Sequence, residues 1–418
     1  FAAHGSLVTI TDKKSAAELE PSIRALSEYP GIRYVLGTHE LDDFRNADCV
    51  IKNPGVKLEG NEFLAASRSI ETDISVFLRF THAPILAVTG SKGKSSTVSA
   101  LHFGLRELGY DAFLELSSWQ LSDLRGRGLL KPRVAILTPV MPDHQNWYGG
   151  MEPYVADKKL IYADQDETCH LLCNRDDEWG KVFASETRAQ VHWYSARELP
   201  EGLAGVWLGE DGRGYMRPAY SSGGCGTADG RTAEILPAEL AVPGGHMKQN
   251  VLNAAQALVL FGADPARVGP ALAKFPGIEH RLEFFHEDGG VRFYNDSAAT
   301  IPEAVAAAIG SFGKPVILLA GGTDKNLDFA PLADAANCAK KIFLLAGTGT
   351  DKLMPMLLDR GVHFEGPFPG LSELVAAARA AAVPGDIVVF SPGATSFGLF
   401  KNEFDRGNKF REAVLAAK

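Results

Sequence analysis

Cysteine is scarce in this chain, with five residues among 418. They are too few and too widely spaced for the disulfide framework of a secreted domain, so we expect a reducing compartment, the cytoplasm. Cys169-His170-x-x-Cys173 suggests a metal site at first sight, but Leu171-Leu172 between the two cysteines favours a buried strand. No second ligand pair with zinc-type spacing follows, so we expect a strand there rather than a metal centre.

Long apolar runs and an excess of basic charge are also missing. No run reaches the roughly 18 residues that a membrane-spanning helix needs, and the first residues do not resemble a signal peptide. The net charge is -9, and lysine and arginine are scattered rather than collected in a stripe. We therefore expect small-molecule partners, no membrane and no nucleic acid. A monomer is a separate expectation, which these observations do not establish.

The composition that remains is that of an ordinary globular protein, with 45% hydrophobic and 22% charged residues. The length is sufficient for two or three domains. The chain begins at Phe1 with residues typical of a helix end, whereas an α/β domain normally opens with a strand and a glycine-rich turn. We expect that strand and turn to be absent from this sequence.

A glycine-rich turn follows the apolar run Ile85–Val88 and reads Thr89-Gly90-Ser91-Lys92-Gly93-Lys94-Ser95. Between a buried strand and a helix, such a turn places backbone N–H groups and the positive end of the helix around a polyphosphate. Lys94 is then expected to reach the outer phosphates, and the Ser95 hydroxyl to bind Mg²⁺. The strict P-loop pattern fails because its first glycine falls on Val88, and a plain strand-to-helix turn is the alternative.

Strands alternate with helices along most of the chain, which predicts an α/β fold with parallel sheets. We expect three domains: a Rossmann-like N-terminal domain (1–80), a central P-loop ATPase-type domain (81–278) and a Rossmann-like C-terminal domain (279–418). A glycine-rich stretch, Glu201–Pro243, adds a small antiparallel sheet to the central domain. Helices are predicted at Ser15–Glu28, Glu152–Ala163 and Asn250–Phe261. Strands are predicted at Leu7–Ile10, Arg33–Leu36, Asp48–Ile51, Phe113–Leu116, Val134–Leu137, Val291–Tyr294, Pro315–Leu319, Lys341–Leu345 and Asp386–Phe390.

Two groups of candidate metal ligands follow strands of the central domain. Glu115 stands among apolar residues, where a carboxylate is costly unless it is paired or binds a cation, and Mg²⁺ at the glycine-rich turn supplies one. A structural ion pair is the alternative. His144 follows the strand Val134–Leu137, where a loop contact competes with a ligand role. Lys158 and Lys159 lie on the next helix, and one of them is expected to face the same cavity.

Amide and charged side chains elsewhere suit a nucleotide. Asn250 and Asn253 lie three apart on one helical face and can read the edge of a base, with helix capping as the alternative for Asn250. Arg281 suits a transferring phosphoryl group, and Asp296 suits ribose hydroxyls, with a surface salt bridge between the two as the alternative.

Two further turns follow apolar strands of the last domain, Gly321–Lys325 and Ser391–Ser396. Glycines allow close backbone approach, Lys325 offers a cation, and Ser396 offers a hydroxyl at a helix start. Together they suit an anionic amino acid, although ordinary strand-to-helix turns look much the same.

In this order, the motifs resemble the Mur ligase family over nearly the whole chain. The most specific segments are the glycine-rich turn, Glu115–Gln120, His280-Arg281, Asn295-Asp296-Ser297, Gly321–Lys325 and Phe400–Gly407. The resemblance implies an enzyme that uses ATP and Mg²⁺ to form an amide bond through an acyl phosphate. It implies UDP-N-acetylmuramoyl-L-alanine and D-glutamate as substrates.

The resemblance also implies roles for individual residues, carried over by position. Lys94, His144 and Lys158 are the implied catalytic residues, with Lys158 carbamylated so that it offers Mg²⁺ an anionic oxygen. The implied Mg²⁺ ligands are Ser95, Glu115, His144 and Lys158. The implied ATP-binding residues are Gly90, Ser91, Lys92, Gly93, Lys94, Ser95, Ser96, Asn253, Arg281 and Asp296. Ser117 and Thr300 are implied to contact the uridine nucleotide, and Lys325 and Ser396 the carboxylates of D-glutamate.

The chain departs from the family pattern in several places. Tyr110-Asp111-Ala112 runs straight into the next strand, so we expect about twenty residues of a substrate-contacting connection to be missing there. Ala298 stands where the family often has lysine, and Glu403 precedes Phe404, at the place where a phenylalanine of the family contacts glutamate. The alternatives are another amino-acid ligase of the superfamily, a ligase that extends folate with glutamate, and a regulatory nucleotide-binding protein without catalysis.

Overall fold

The computed structural model describes residues 1–109, 114–143, 145–218 and 232–416. The chain forms two compact units. The first unit comprises Phe1–Ala83, Leu116–Leu130 and Ala156–Leu160, and the second comprises Pro84–Glu115, Lys131–Val155 and Ile161–Lys418.

The elements are numbered in chain order. The strands are β1 (Thr9–Asp12), β2 (Arg33–Leu36), β3 (Val50–Ile51), β4 (Ile70–Glu71), β5 (Leu86–Thr89), β6 (Leu114–Glu115), β7 (Val134–Leu137), β8 (His170–Asn174), β9 (Gln190–Ser195), β10 (Gly205–Leu208), β11 (Gly214–Arg217), β12 (Ala233–Leu236), β13 (Glu283–Asp288), β14 (Val291–Asn295), β15 (Ile317–Gly321), β16 (Lys341–Leu345), β17 (Glu365–Phe368) and β18 (Ile387–Phe390). The helices are α1 (Glu20–Ala25), α2 (Leu41–Asn46), α3 (Glu62–Ala65), α4 (Asp73–Phe80), α5 (Lys94–Leu108), α6 (Ser118–Asp123), α7 (Gln145–Tyr148), α8 (Met151–Lys159), α9 (Glu178–Glu186), α10 (Gly245–Phe261), α11 (Pro265–Leu272), α12 (Pro302–Gly310), α13 (Ala330–Ala335), α14 (Thr348–Asp359), α15 (Leu371–Ala381) and α16 (Glu403–Ala416).

The first unit contains two small parallel sheets, in which β1 pairs with β2 and β3 pairs with β4. Buried charged groups join the segment 116–130 to the rest of this unit. Lys52 donates to Asp123 at 2.7 Å, and both side chains are almost inaccessible to solvent. Arg127 and Arg79 both bind the carboxylate of Glu71. Since a buried charge is costly without a partner, these pairs fix the position of α6 within the unit.

The larger sheet of the second unit has the strand order β12-β11-β10-β9-β8-β7-β5-β6. Neighbouring strands from β6 to β10 run parallel, and β10, β11 and β12 pair antiparallel. Strand β6 lies on one side of β5 and strand β7 lies on the other, so the strand order reverses at β5. Ligands bind at such a reversal, beyond the carboxyl ends of the strands.

Helices α5 and α10 form the core of this region together with the sheet. Gly104 on α5 permits close packing, because a Cβ atom there would lie 2.6 Å from Leu258 and 3.0 Å from Leu272. Every residue of α10 from Val251 to Val259 is buried. This packing holds the first turn of α5 next to the end of β5.

The second sheet of this unit has the order β13-β14-β18-β15-β16-β17. It is parallel from β14 to β17, with β13 antiparallel at the edge. Alternate residues of its strands enter different cores: Leu318 and Val389 pack on one face, and Leu319 and Val388 on the other. Both faces are therefore covered, which explains why these strands read as continuous apolar runs.

The predicted fold class is confirmed, since parallel α/β sheets and a small antiparallel extension are both present. Strands predicted at Arg33–Leu36, Val134–Leu137 and Lys341–Leu345 have those bounds. The strand predicted across Cys169 and Cys173 is also confirmed as β8. The three domain boundaries stay predictions. The expected missing connection falls on residues 110–113, outside the described residues.

Several local predictions are wrong. The helix expected over Glu152–Ala163 ends at Lys159 in α8, and the strand expected over Pro315–Leu319 is β15, Ile317–Gly321. The helix expected over Ser15–Glu28 is reduced to α1, whose first turn contains Pro21, a residue that a helix interior does not tolerate. The first strand lies two residues later than expected because Thr9–Asp12 pairs with β2, which leaves Leu7 fully exposed. Helix α10 begins at Gly245, so Asn250 lies inside the helix and does not cap it.

Candidate active site

The turn between β5 and α5 requires glycine at two positions. Gly90 has φ 147°, and a Cβ atom there would lie 2.0 Å from Thr138 Oγ1. Gly93 precedes α5 with φ 91°, and its Cβ would lie 2.6 Å from the Asn250 side-chain oxygen. Both positions combine a left-handed backbone with close contacts, so a side chain would displace the turn. Asn250 therefore contacts the turn from α10, a role that the sequence did not reveal.

Ser91 fixes the turn to the segment that follows β7. Its hydroxyl donates to the Met141 carbonyl at 2.8 Å, accepts from the Met141 N–H at 3.0 Å, and lies 2.9 Å from the Tyr154 hydroxyl. Its backbone N–H donates to Pro139 at 3.0 Å. The Ser91 N–H is thus used within the protein, and the N–H groups of the first turn of α5 are those left for an anion.

Lys94 lies with its cation inside the turn. Its Nζ donates to the carbonyl oxygens of Gly90 at 3.0 Å and Ser91 at 3.1 Å. Burial lowers the pKa of Lys94, while the nearby carboxylates of Glu115 and Asp143 act in the opposite direction. The side chain is therefore a partly desolvated cation within the turn, and desolvation strengthens its attraction for an anion.

Ser95 and Glu115, the two residues expected to share a Mg²⁺ ion, lie together. The Ser95 hydroxyl donates to the Glu115 carboxylate at 3.0 Å. Ser95 is exposed on the first turn of α5, and Glu115 ends β6 half-buried. A hydroxyl and a carboxylate oxygen are the ligands that Mg²⁺ prefers, so this pair fits the ion. Glu115 accepts from a hydroxyl rather than from a cationic side chain in this contact, which does not favour the alternative of a structural ion pair.

The other turn residues differ in exposure. Lys92 is exposed, whereas Ser96 is buried in the first turn of α5. His144 lies outside the described residues, so its predicted role stays a prediction. Among the residues that the structure does describe, no cluster of histidine, cysteine and acidic side chains has the geometry of a metal site formed by protein ligands alone.

Lys158 and Ser117 both belong to the first unit. Lys158 is only 1% exposed on α8, and its neighbour Lys159 is half-buried, so Lys158 is the more enclosed of the two. Ser117 caps α6, with its hydroxyl accepting from the Gln120 N–H at 3.2 Å. The Ser117 hydroxyl is therefore already engaged in a capping box, and its predicted contact with substrate stays a prediction.

Amide side chains on α10 have unused hydrogen-bonding capacity. Asn253 is fully buried, and its oxygen accepts from Gln249 at 3.0 Å. The Asn253 Nδ2 and the Gln249 Oε1 have no partner among the described residues. One free donor and one free acceptor match the complementary edge of a base, so this pair fits the adenine of a nucleotide.

Asp296 is buried at the carboxyl end of β14 and is already hydrogen-bonded. One oxygen accepts from the Leu282 N–H at 3.0 Å, and the other accepts from the Ser391 hydroxyl at 2.6 Å. Burial raises the pKa of Asp296 to about 7, against the effect of these donors. The surface salt bridge with Arg281 is wrong as an alternative, since Asp296 is buried and Arg281 is exposed. Residues 280 and 282, beside Arg281, have positive φ values of 62° and 43°.

The two turns expected to bind an amino acid are joined to each other. Thr323 and Thr395 form an isolated antiparallel bridge, in which the Thr395 N–H donates to the Thr323 carbonyl at 2.9 Å. Lys325 is exposed on one turn, and Ser396 is buried on the other. Thr300 is half-buried in the loop that follows β14. Their substrate contacts stay predictions, although the bridge brings the two turns together.

Sequence reasoning assigned no role to Arg406, which the structure places near these turns. It is fully buried on α16 and binds the backbone of Ser297 and Ala394. The only sequence signal was its place within Phe400–Gly407, a segment that entered the resemblance without a role for each residue.

The chain matches two known protein-family models. Models of the Mur ligase middle domain and of the Mur ligase glutamate ligase domain match residues 110–258 and 280–393. The UDP-N-acetylmuramoylalanine–D-glutamate ligase of Treponema pallidum is 42% identical, over 98% of this chain and 93% of that protein. The chain belongs to the Mur ligase family. The Roseiflexus enzyme of the same name is 37% identical, over 99% of this chain and 94% of that protein.

Solved structures of the Mur ligase family share the fold. The UDP-N-acetylmuramate–alanine ligase of Thermotoga maritima has a TM-score of 0.59 at 17% identity and covers 100% of this chain and 95% of its own. The MurF ligase of Thermotoga maritima, solved with ADP, has a TM-score of 0.54 at 15% identity and covers 99% of this chain and 96% of its own. Within the described ranges, each helix is too short or too polar to cross a bilayer.

Proposed function

We propose that this Mur ligase joins D-glutamate to the carboxylate of UDP-N-acetylmuramoyl-L-alanine, with the cleavage of ATP to ADP and phosphate. The observation that carries the proposal is the Ser95–Glu115 contact of 3.0 Å beside Lys94, at the strand that marks the reversal of the sheet. The similarity to D-glutamate ligases over nearly the full chain supports the choice of substrates and disfavours the folate and regulatory alternatives.

The turn after β5 has the groups that an ATP polyphosphate needs. The N–H groups of the first turn of α5 point along the helix axis without intrahelical partners, and the helix dipole adds positive potential there. Lys94 is the cation for the outer phosphates. Gly93 allows the backbone to approach because it has no side chain between the turn and Asn250.

Mg²⁺ is proposed to bind at the Ser95 hydroxyl and the Glu115 carboxylate, where it would neutralise charge on the phosphates. For this, the Ser95 hydroxyl turns from Glu115 and offers a lone pair. The resemblance adds His144 and a carbamylated Lys158 as ligands of a second ion. The burial of Lys158 supports this assignment, because Lys158 is 1% exposed and is therefore the more enclosed of the two lysines that end α8.

The reaction is proposed to proceed in three steps. The γ-phosphoryl group passes to the carboxylate of UDP-N-acetylmuramoyl-L-alanine, which forms an acyl phosphate. The amine of D-glutamate attacks this carbonyl carbon, and the tetrahedral intermediate expels phosphate. The protein contributes mainly by holding the reactants in line and by stabilising negative charge, in which Lys94 and Arg281 take part.

The amino acid is proposed to bind at the carboxyl edge of the second sheet. Lys325 and Ser396 would hold its carboxylates, on two turns that the Thr323–Thr395 bridge joins. Thr300 and Ser117 would contact the uridine-nucleotide substrate, and Asn253 and Asp296 the adenosine. The reaction is proposed to occur in the cytoplasm, which suits the free thiols of Cys169 and Cys173, and the active form is proposed to be a monomer.

A coupled assay of ADP release tests the proposal. Purified protein is given ATP, Mg²⁺ and UDP-N-acetylmuramoyl-L-alanine, and D-glutamate is compared with L-glutamate, L-lysine and L-alanine. We expect ADP release with D-glutamate and with none of the other three amino acids, and no ADP release when Mg²⁺ is chelated. Equal ADP release with L-lysine, or release that does not need the uridine nucleotide, would contradict the proposed function.

A further inference from the structure

Arg406 is an arginine without any exposed surface, on the first turn of α16. Arginine is rarely buried in this way unless it is paired. Its Nε donates to the Ser297 hydroxyl at 3.0 Å, its Nη1 to the Ala394 carbonyl at 2.9 Å, and its Nη2 to the Ser297 carbonyl at 2.7 Å. One side chain therefore joins the loop after β14 to the loop after β18.

The acceptors of Arg406 are neutral oxygens, and no carboxylate in the described part of the chain forms an ion pair with it. Burial lowers the pKa of Arg406 to about 10, while the carboxylates of Glu403 and Asp296 act in the opposite direction. The guanidinium therefore keeps its charge at neutral pH. An enclosed charge without an ionic partner is costly, and the three hydrogen bonds to the loops after β14 and β18 offset that cost, so the position of the guanidinium is tied to those loops.

The guanidinium also lies behind the turn that follows β15. A Cβ atom on Gly322 would lie 3.8 Å from Arg406 Nη1 and 3.1 Å from the Thr395 carbonyl. Through Gly322 and the Thr323–Thr395 bridge, this turn packs on the loop that Arg406 binds. The three loops that meet around Arg406 are those that carry Thr300, Lys325 and Ser396.

We propose that Arg406 is a positioning residue of the amino-acid subsite. It sets the spacing between the loops that follow β14 and β18, and its charge provides a positive potential behind them for the two carboxylates of glutamate. Arg406 does not itself touch the amino acid. The inference rests on the proposed function, since it assigns Arg406 to the subsite in which D-glutamate binds.

The variant Arg406→Lys tests this role, because lysine keeps the charge but cannot reach three acceptors in the fixed fork of a guanidinium. We expect the KM for D-glutamate to rise about tenfold or more, and the KM for ATP to change by less than about twofold. Arg379→Lys is the matched control. Arg379 also contacts α16, through the Val414 carbonyl at 2.9 Å, but at the other end of the helix. We expect Arg379→Lys to leave both KM values unchanged.

A second variant, Ser297→Ala, removes one acceptor of Arg406 and keeps the backbone carbonyl. It should raise the KM for D-glutamate in the same direction by a smaller factor, about threefold. If Arg406→Lys does not fold, the KM for D-glutamate of Ser297→Ala tests the inference by itself. An equal rise in the KM of every substrate, or an unchanged KM for D-glutamate in the folded variants, would overturn the inference. If wild-type protein uses a different amino acid, the proposed function fails, and the same variants are then compared on the KM of that amino acid.

Discussion

The glycine-rich turn and the proposed amino-acid subsite are built in different ways. The turn consists of residues 89–95, contiguous in sequence, and its own backbone accepts from Lys94. The proposed amino-acid subsite is assembled from loops that are far apart in sequence, which Arg406 binds through Ser297 and Ala394. A contiguous site depends on a local pattern of glycine and lysine. A dispersed site depends on long-range contacts, so a change outside its own loops can alter it.

The largest expected effect comes from the turn itself. Lys94→Ala should lower kcat about a thousandfold, because the cation that stabilises phosphoryl transfer is lost, while the fold remains. The measurement is ADP release together with a thermal melt. Lys181→Ala is the matched control, since Lys181 pairs with Glu178 on the surface at 2.5 Å. Near-normal turnover of Lys94→Ala would show that the turn does not act on the phosphates.

The predicted metal ligand on α8 comes next. Lys158→Ala should lower activity about a hundredfold, because a carbamylated lysine supplies an anionic oxygen to Mg²⁺. Added bicarbonate should not restore this activity, whereas acetate or formate at high concentration should restore part of it. Lys159→Ala is the control on the neighbouring residue. If Lys159→Ala shows the loss and Lys158→Ala does not, the assignment moves to Lys159.

A smaller effect is expected from Glu115→Gln, because this change weakens a predicted Mg²⁺ ligand without removing it. Glu115→Gln keeps an oxygen that can accept from Ser95 but removes the negative charge. The Mg²⁺ concentration that gives half-maximal activity should rise about tenfold, and saturating Mg²⁺ should restore most of the turnover. Glu178→Gln is the surface control. An unchanged Mg²⁺ dependence would leave the Ser95–Glu115 contact as a structural hydrogen bond only.

The smallest effect on activity is expected from a change in the scaffold, away from both sites. His170 and His192 lie side by side on β8 and β9, with ring nitrogens 3.0 Å apart. Burial lowers the pKa of His192 to about 3 and also lowers that of His170. Both rings are therefore neutral in the folded protein when the unfolded chain begins to bind protons.

Above the unfolded pKa of about 6.5, the buried neutral histidines do not reduce the free energy of unfolding. As the pH falls from there towards the folded pKa, the free energy of unfolding decreases by up to about 1.4 kcal/mol per pH unit for one proton. His192→Gln should flatten the decline of the free energy of unfolding between pH 6.5 and 4, and leave the KM values unchanged at pH 8. Urea unfolding at several pH values measures it. A decline as steep as in wild type would show that other groups cause it.

The contrast between the two regions also explains what could be predicted from the sequence. The sequence predicts the roles of Gly90, Gly93, Lys94 and Ser95 because the turn is local. The structure places Ser95 against Glu115, and the roles themselves stay predictions. Arg406 was assigned no role, because nothing in Asp405-Arg406-Gly407 indicates that the side chain is buried against loops far away in sequence. Burial of that kind depends on the order of strands in the second sheet, which a single sequence does not reveal.

The accuracy of the predicted element bounds also depends on whether the signal is local or comes from tertiary packing. Strand β16 was predicted with its observed ends because its apolar run is buried on both faces. Helix α10 was predicted to begin at Asn250, but tertiary packing extends it to Gly245, in spite of the low helix propensity of glycine. The start of this helix brings Asn250 beside Gly93, so the wrong boundary concealed a contact with the turn.

Because Arg406 lies on α16, the last helix described, the order of synthesis has a consequence for the enzyme. A nascent chain can form β5, the glycine-rich turn and α10 while the final residues are still inside the ribosome. The loops after β14 and β18 lack the side chain that joins them until α16 emerges. The proposed amino-acid subsite is therefore completed last, and a chain released too early would keep the glycine-rich turn without the proposed subsite for glutamate.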